Sequence, residues 1–303
     1  MSTEQRRLLA VVLVPVFMAL LAVSSINVVL PAIQSSIAAT DTQIQWILSG
    51  YTLTFGVVLV AAGRAGDAHG RGRLFVVGLA LFGLGSLASG CATDGALLDL
   101  ARLVMGVGSG LLNPQTVGFI QQYFSGVLRA RAFASFGAAV GLSVAIGPLM
   151  GGAFVQVFGA EWGWRATFLV NVPIALGAIV LARRWFPPSA FERDRRKGRA
   201  DLDPVGMLLF GLAVLLVMLP FLERGFGPVV FVLTPLGLAL LGLWVWWERR
   251  YQRRGHQPMV NLELFRIRSY ANGVMLIGLQ FTGITSVYAI VAMYLQNGQG
   301  ATA

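Results

Sequence analysis

Few side chains in this sequence have the type and spacing to do chemistry. There are two histidines, His69 and His256, and one cysteine, Cys91. No His-Glu-x-x-His pair and no nucleophile elbow occurs, so metal-assisted hydrolysis and acyl transfer have no candidate residues. The lone cysteine excludes an internal disulfide and a cysteine-rich metal site. No catalytic residue, metal or cofactor is expected. What remains is a set of polar residues inside strongly apolar surroundings. Arg102 stands in the run Asp99-Leu-Ala-Arg102-Leu-Val-Met-Gly106-Val-Gly108-Ser-Gly110-Leu-Leu-Asn113-Pro114-Gln115. An arginine there is either a cavity-facing charge or one that snorkels and pairs with Asp99 at i, i+3. Asn27, Asn113 and Gln115 are amides that line a substrate path or bond to neighbouring helices. A turn with dense charge reads Gly63-Arg-Ala-Gly-Asp67-Ala-His-Gly70-Arg71-Gly-Arg73. Its glycines permit tight chain reversal, and Asp67 and Arg71 have the spacing of a helical pair. His69 sits in that turn and reads as a surface histidine. A proline lies among glycines at Gly147-Pro148-Leu-Met-Gly151-Gly152, preceded by Gly137 and Gly141. Proline removes a backbone donor and kinks a helix, while the glycines let neighbours approach closely.

The elements that position these residues follow from composition. Of 303 residues, 56% are hydrophobic and only 12% charged, with a mean hydropathy of +0.73. Soluble domains carry about 25% charged residues, so a soluble enzyme and a disordered chain are both excluded. Apolar runs occur at 8–30, 45–63, 74–93, 97–120, 132–157, 166–186, 203–222, 227–248 and 270–295. Each approaches or exceeds the ~20 residues needed to cross hydrocarbon, and lipid leaves a helix as the only way to satisfy each backbone. An all-α polytopic membrane protein with about nine transmembrane helices is therefore expected. The Gly106/Gly108/Gly110 run lacks dinucleotide-loop spacing and a preceding strand, so it reads as close helix packing.

Net charge is +10. With the N-terminus cytoplasmic, every basic residue except Arg102, Arg165 and Arg224 falls on the inner side. The excess is then a positive-inside bias facing anionic lipid, and no nucleic acid is needed to explain it. Trp46, Trp162 and Trp164 fall at outer ends of runs, and Trp185, Trp244, Trp246 and Trp247 at inner ends, as interfacial belts would. One Lys against 22 Arg suggests a GC-rich bacterial genome. The expected site is a bacterial inner membrane. Pro187 and Pro188 open a charged linker over 187–202, and a second cytoplasmic connection covers 249–269.

Gly63, Asp67, Gly70 and Arg71 form Gly-x-x-x-Asp-x-x-Gly-Arg between spans 2 and 3, which resembles the signature loop of the major facilitator superfamily. Gly-Pro-x-x-Gly-Gly in span 5 resembles the antiporter signature of its drug exporters. Trp164-Arg-Ala-Thr-Phe-Leu-Val-Asn171-Val-Pro173, Pro258 to Tyr270, and Asn27-Val-Val-Leu-Pro31 are similar to the 14-span drug:proton antiporter branch. The resemblance covers 1–303 and implies a facilitator-type helical bundle. It implies that Gly63, Asp67, Gly70, Arg71 and Arg73 form a conformational clasp. It implies that Arg102 serves coupling, and Asp99, Asn113, Gln115 and Asn27 stand beside it as candidates for coupling or the cavity. Gly147, Pro148, Gly151 and Gly152 would form the antiporter helix. Two positions depart from the loop pattern: Ala68 replaces a basic residue, and Gly72 replaces an arginine, with Arg73 one place later. A third departure concerns coupling, since Ala22, Val23, Ser24 and Ser25 stand where that branch carries an acidic residue.

Mapped onto the branch, 1–186 is a six-span bundle, 187–202 a linker, 203–248 two inserted spans, 249–269 a connection, and 270–303 the first span of an incomplete second bundle. The implied activity is multidrug-type efflux by proton antiport with alternating access. The partners would be the lipid bilayer, a small amphipathic or apolar substrate, and protons. The alternative is a truncated, non-transporting membrane remnant or scaffold that needs a partner chain. Nine spans leave the C-terminus outside, shortly after the last span, so the chain is expected to be cut short.

Overall fold

The computed structural model describes residues 1–192, 203–222, 231–256 and 258–293. Helices dominate, and no strand occurs among the described residues. The helices are α1 (Thr3–Ile37), α2 (Asp41–His69), α3 (Arg71–Gly90), α4 (Gly95–Tyr123), α5 (Gly126–Leu169), α6 (Asn171–Trp185), α7 (Pro204–Leu222), α8 (Leu233–Arg253) and α9 (Arg268–Met293). They follow the nine apolar runs in order. Most of the linker charges at 193–202, Arg224, and the tail 297–303 lie outside the described residues.

The ends of α1, α2 and α4 extend beyond their apolar runs, because a helix persists into the polar boundary until a cap satisfies its free donors. Ser2 caps α1 by accepting from Gln5 N at 3.1 Å, and Gln5 Oε1 accepts from Ser2 N at 3.1 Å. Thr40 and Gln43 form the same reciprocal pair at the start of α2. Asp94 Oδ1 caps α4 by accepting from Leu97 N at 2.9 Å. By length and apolarity alone, α1, α3, α4 and the 126–185 run can cross a membrane, and α2 makes a fifth if its two parts, bent by 49°, count as one span.

The boundary between the fifth and sixth runs lies in the gap that hydropathy leaves at 158–165. Helix stops there for one residue and resumes to Leu169. That residue is Gly159, whose φ of 78° and ψ of 173° leave helical space. Glycine adopts that conformation without a Cβ penalty. The segment after it, with Trp164 and Phe168 buried, anchors α3: Arg165 Nη1 donates to Gly90 O at 3.1 Å and Ala92 O at 2.6 Å. These are carbonyls at and just past a helix C-terminus, where a cation is favoured. Trp164 is therefore not an interfacial tryptophan. It is fully buried, edge-on to Phe168 at 6.2 Å and beneath the Arg165 guanidinium. Trp162, more than half exposed, does fit a lipid-facing position.

Residues 1–244 form one compact unit and 245–303 a second. In the first, α1 packs along α5, α4 lies against both α2 and α3, α6 packs on α3, and α7 on α2. The core includes Met18, Ile26, Ile47, Phe75, Phe82, Met105 and Phe119. In the second, Phe265 packs edge-on to Tyr270 at 5.3 Å beside a 3₁₀ turn at Leu262–Arg266.

Candidate functional site

Helix α4 is the element that places the buried charge. Its glycines alternate between two neighbours. A Cβ at Gly106 would strike Thr54 and the Tyr51 carbonyl of α2, and one at Gly110 would meet Phe55 O at 2.9 Å. A Cβ at Gly108 would instead meet Phe82 N at 2.5 Å and Gly78 O at 2.8 Å, both backbone atoms of α3. Small residues thus let α4 lie against two helix backbones at once. The packing holds Arg102, two turns into α4, against α2.

Arg102 is 1% exposed. Its Nε donates to Ile47 O at 2.8 Å, and its guanidinium lies 4.4 Å from the centre of the Tyr51 ring. Phe168 lies further off, at 6.0 Å. Nη1 is buried with no hydrogen-bond partner. The expected Asp99–Arg102 pair does not form: Arg102 reaches across to α2, and Asp99 Oδ1 is itself buried without a partner. The reason is directional. Arg102 lies on the face of α4 turned to α2, where a carbonyl and an aromatic face are within reach, while Asp99 is only half-buried. Arg102 borders a cavity of about 280 Å³. Val23, Ile26, Leu48 and Met218 give it apolar walls. Asn27, Ser49 and Thr52 contribute its other polar groups.

The turn between α2 and α3 forms a second constellation. Gly70 adopts φ 97°, a conformation that favours glycine, and lets α3 start directly after α2. Arg71 Nη2 donates to Asp67 Oδ1 at 2.6 Å, and the Arg71 guanidinium covers Gly118 of α4. Gln115 covers Gly66, and its Nε2 donates to Ala62 O at 2.8 Å. Gly63 sits beside Pro114, and Gly70 and Gly72 lie under the backbone of Ala190–Glu192. His69 and Arg73 are exposed. The Asp67 and Arg71 side chains remain 42% and 25% exposed, so their pair contributes little to stability. Asp67→Asn is expected to change stability by less than about 1 kcal/mol. Thermal unfolding of the detergent-solubilised protein checks this, and a larger loss would mean that the pair holds the fold together.

The glycine-proline stretch of α5 forms the seam with α1. A Cβ at Gly147 would strike Ser24, and one at Gly151 would meet Ser25 O at 3.0 Å. Gly152 faces Val28, and Pro148 lies half-buried beside this line. Ser24 Oγ donates to Ser143 O at 3.0 Å and ties the two helices together. Gly137 and Gly141 face nothing within 4 Å, so they do not join this seam.

The family model of the Major Facilitator Superfamily matches residues 12–303. The chain belongs to the major facilitator superfamily. This facilitator is 37% identical over 295 residues to the probable actinorhodin transporter of Streptomyces coelicolor, covering 96% of the chain and 50% of the relative. It is 35% identical to the puromycin resistance protein pur8 of Streptomyces alboniger, covering 95% and 56%. It is 33% identical to the multidrug resistance protein Stp of Mycobacterium tuberculosis, covering 94% and 52%. The chain spans about half the length of these curated relatives. Among solved structures, it resembles a POT family peptide transporter with a TM-score of 0.55 at 15% identity, covering 82% of the chain and 54% of the other. It also resembles tetrameric PepTSo2, with a TM-score of 0.52 at 16% identity, covering 97% and 58%. At such identity these similarities establish the fold. The facilitator is a multi-pass membrane protein and a transporter-family member, not an enzyme.

Of the site residues singled out in the facilitator's sequence, Arg102 and Asn27 meet at the cavity. Gln115 does not line it and serves instead to join α4 to α2, and Asn113 lies half-buried outside the lining. Asp99 stands apart from Arg102. Sequence reasoning missed Tyr51, the bond from Ser24 to α5, and Thr116, whose Oγ1 donates to Val12 O at 3.2 Å. A hydroxyl within an apolar run was the available signal, since such a group seeks an acceptor on its own or a neighbouring helix.

Proposed function

We propose that the chain forms part of a secondary active exporter that moves small amphipathic or apolar compounds by proton antiport with alternating access. The observation that carries this reading is the α1–α5 seam. Gly147 and Gly151 press directly on Ser24 and Ser25, with an interhelical hydrogen bond beside them. Alternating access is largely rigid-body rocking of bundles about a fixed site. A seam in which backbone meets backbone makes α1 and α5 move as one body. The relatives to which the chain is 33–37% identical are named as a transporter and as resistance proteins, which supports outward movement of small compounds.

Under this reading 1–186 is a six-span bundle, joined by the linker 187–202 to two inserted spans at 203–248. The connection 249–269 leads to 270–303, the first span of a second bundle. The N-terminus faces the cytoplasm of a bacterial cell, in its inner membrane. Gly63, Asp67, Gly70, Arg71 and Arg73 steady one access state, and Arg102 serves transport at the cavity.

The test uses everted membrane vesicles carrying the full product of the gene and a neutral fluorescent naphthylamine as cargo. Acidifying the vesicle interior is expected to drive dye accumulation, and collapsing the pH gradient is expected to stop it. Accumulation that ignores the pH gradient would refute proton antiport. The same assay on the 303-residue chain alone decides the alternative, since transport by it would exclude a non-transporting scaffold.

A further inference from the structure

We propose that the cavity beside Arg102 takes its ligand as an anion, a carboxylate or phenolate carried on a flat aromatic body. This deepens the export reading by naming a substrate class, and it rests on that reading only for the step of transport.

Among the described residues, Arg102 is the only charged side chain lining the cavity. Its donors are not used up. Guanidinium carries five N–H donors, and here one goes to Ile47 O, while Nη1 is buried and without a partner. The Tyr51 ring covers one face but accepts only through its π-system. Among the described residues no carboxylate pairs with Arg102, and Asp99 Oδ1 is itself buried without a partner. A buried cation with an idle donor, in surroundings of low dielectric, favours an anionic oxygen far more than water would allow. The same charge repels an ammonium group, and no lining carboxylate offsets that repulsion. Val23, Ile26 and Leu48 supply an apolar wall for a ring system. Asn27 and Thr52 add donors that suit an oxygen.

The experiment compares three ligands of one shape by equilibrium dialysis against the purified 303-residue chain in detergent: 2-naphthoate, its methyl ester, and naphthylmethylammonium. A hydrogen bond to a charged group corresponds to roughly 10-fold or more in affinity. Naphthoate is expected to bind about 10-fold more tightly than the ester, and the ammonium more weakly than either. Arg102→Gln is expected to reduce naphthoate to the affinity of the ester. Equal binding of naphthoate and ester, or a naphthoate preference that survives Arg102→Gln, would overturn the proposal.

Should that variant fail to fold, the wild-type chain still decides the matter with a nitrophenol whose own pKa is near neutral. Binding beside a cation favours the phenolate, so its apparent pKa should fall by about one unit, visible as phenolate absorbance at lower pH. An unchanged or raised pKa would refute the anion site. These measurements need no gradient. Loss of pH-driven dye movement with the naphthoate preference intact would therefore count against the transport reading alone.

Discussion

Gly108→Leu is expected to abolish the monodisperse folded protein in detergent, or to lower its melting temperature by about 10 °C. The residue lies where α3 and α4 meet backbone to backbone. The first added carbon would stand 2.5 Å from Phe82 N and 2.8 Å from Gly78 O. Neither atom can swing aside as a side-chain tip would, so α3 must shift. That shift is resisted along the seam, because Gly78 and Gly85 of α3 meet Leu112, Met105 and Ala101 of α4 just as closely. Overpacking typically costs ~1–3 kcal/mol and sometimes more. In a chain of this size each kcal/mol moves the midpoint by roughly 2–4 °C. Gly137→Leu is the control. Its Cβ meets nothing within 4 Å, and leucine favours helix over glycine. It should melt at or above the wild-type temperature. Equal melting of Gly108→Leu and wild type would show that the two helices are not held at this distance.

Arg102→Ala is expected to leave the protein folded while eliminating pH-driven efflux by the full gene product. The two halves of this expectation have one cause. An arginine within a span costs about 2.5–3.5 kcal/mol at the bilayer centre. Here the guanidinium recovers one hydrogen bond and one aromatic contact, and leaves Nη1 unsatisfied. Truncation removes the buried charge together with its idle donor. Ile47 O lies within α2, whose helical ladder still satisfies it. The lost packing against Tyr51 offsets part of the gain. The melting temperature should therefore stay within about 4 °C of wild type, equivalent to roughly 1 kcal/mol. Efflux should fall to the vesicle background, because the one charge that lines the cavity among the described residues is gone. Undiminished efflux would remove Arg102 from the transport role, and a collapse in stability would make it a structural residue.

Much of this protein was already legible along the chain. Among the described residues nine helices follow the nine apolar runs in order, because lipid demands an internally bonded backbone wherever about 20 apolar residues follow one another. The Gly106/Gly108/Gly110 run announced close packing because only small residues permit it. The motifs around Asp67 and Pro148 carried the family resemblance. These are local properties, summed over neighbours in sequence.

Other features depended on which helices meet and at what distance. Asp99 seemed the natural partner of Arg102 by helical spacing, yet the arginine took Ile47 O, 55 residues away. Gln115 was a candidate for the substrate path, but the close approach of α2 at Gly66 turned it into an interhelical tie. Trp164 had the sequence position of an interfacial residue, and the seating of Arg165 on the end of α3 buried it. The break between the fifth and sixth runs lay in the expected gap, and the backbone conformation of Gly159 confined it to one residue. Sequence fixes what each residue can bond to. The crossing of α4 with α2 and α3 decides which of those bonds is within reach.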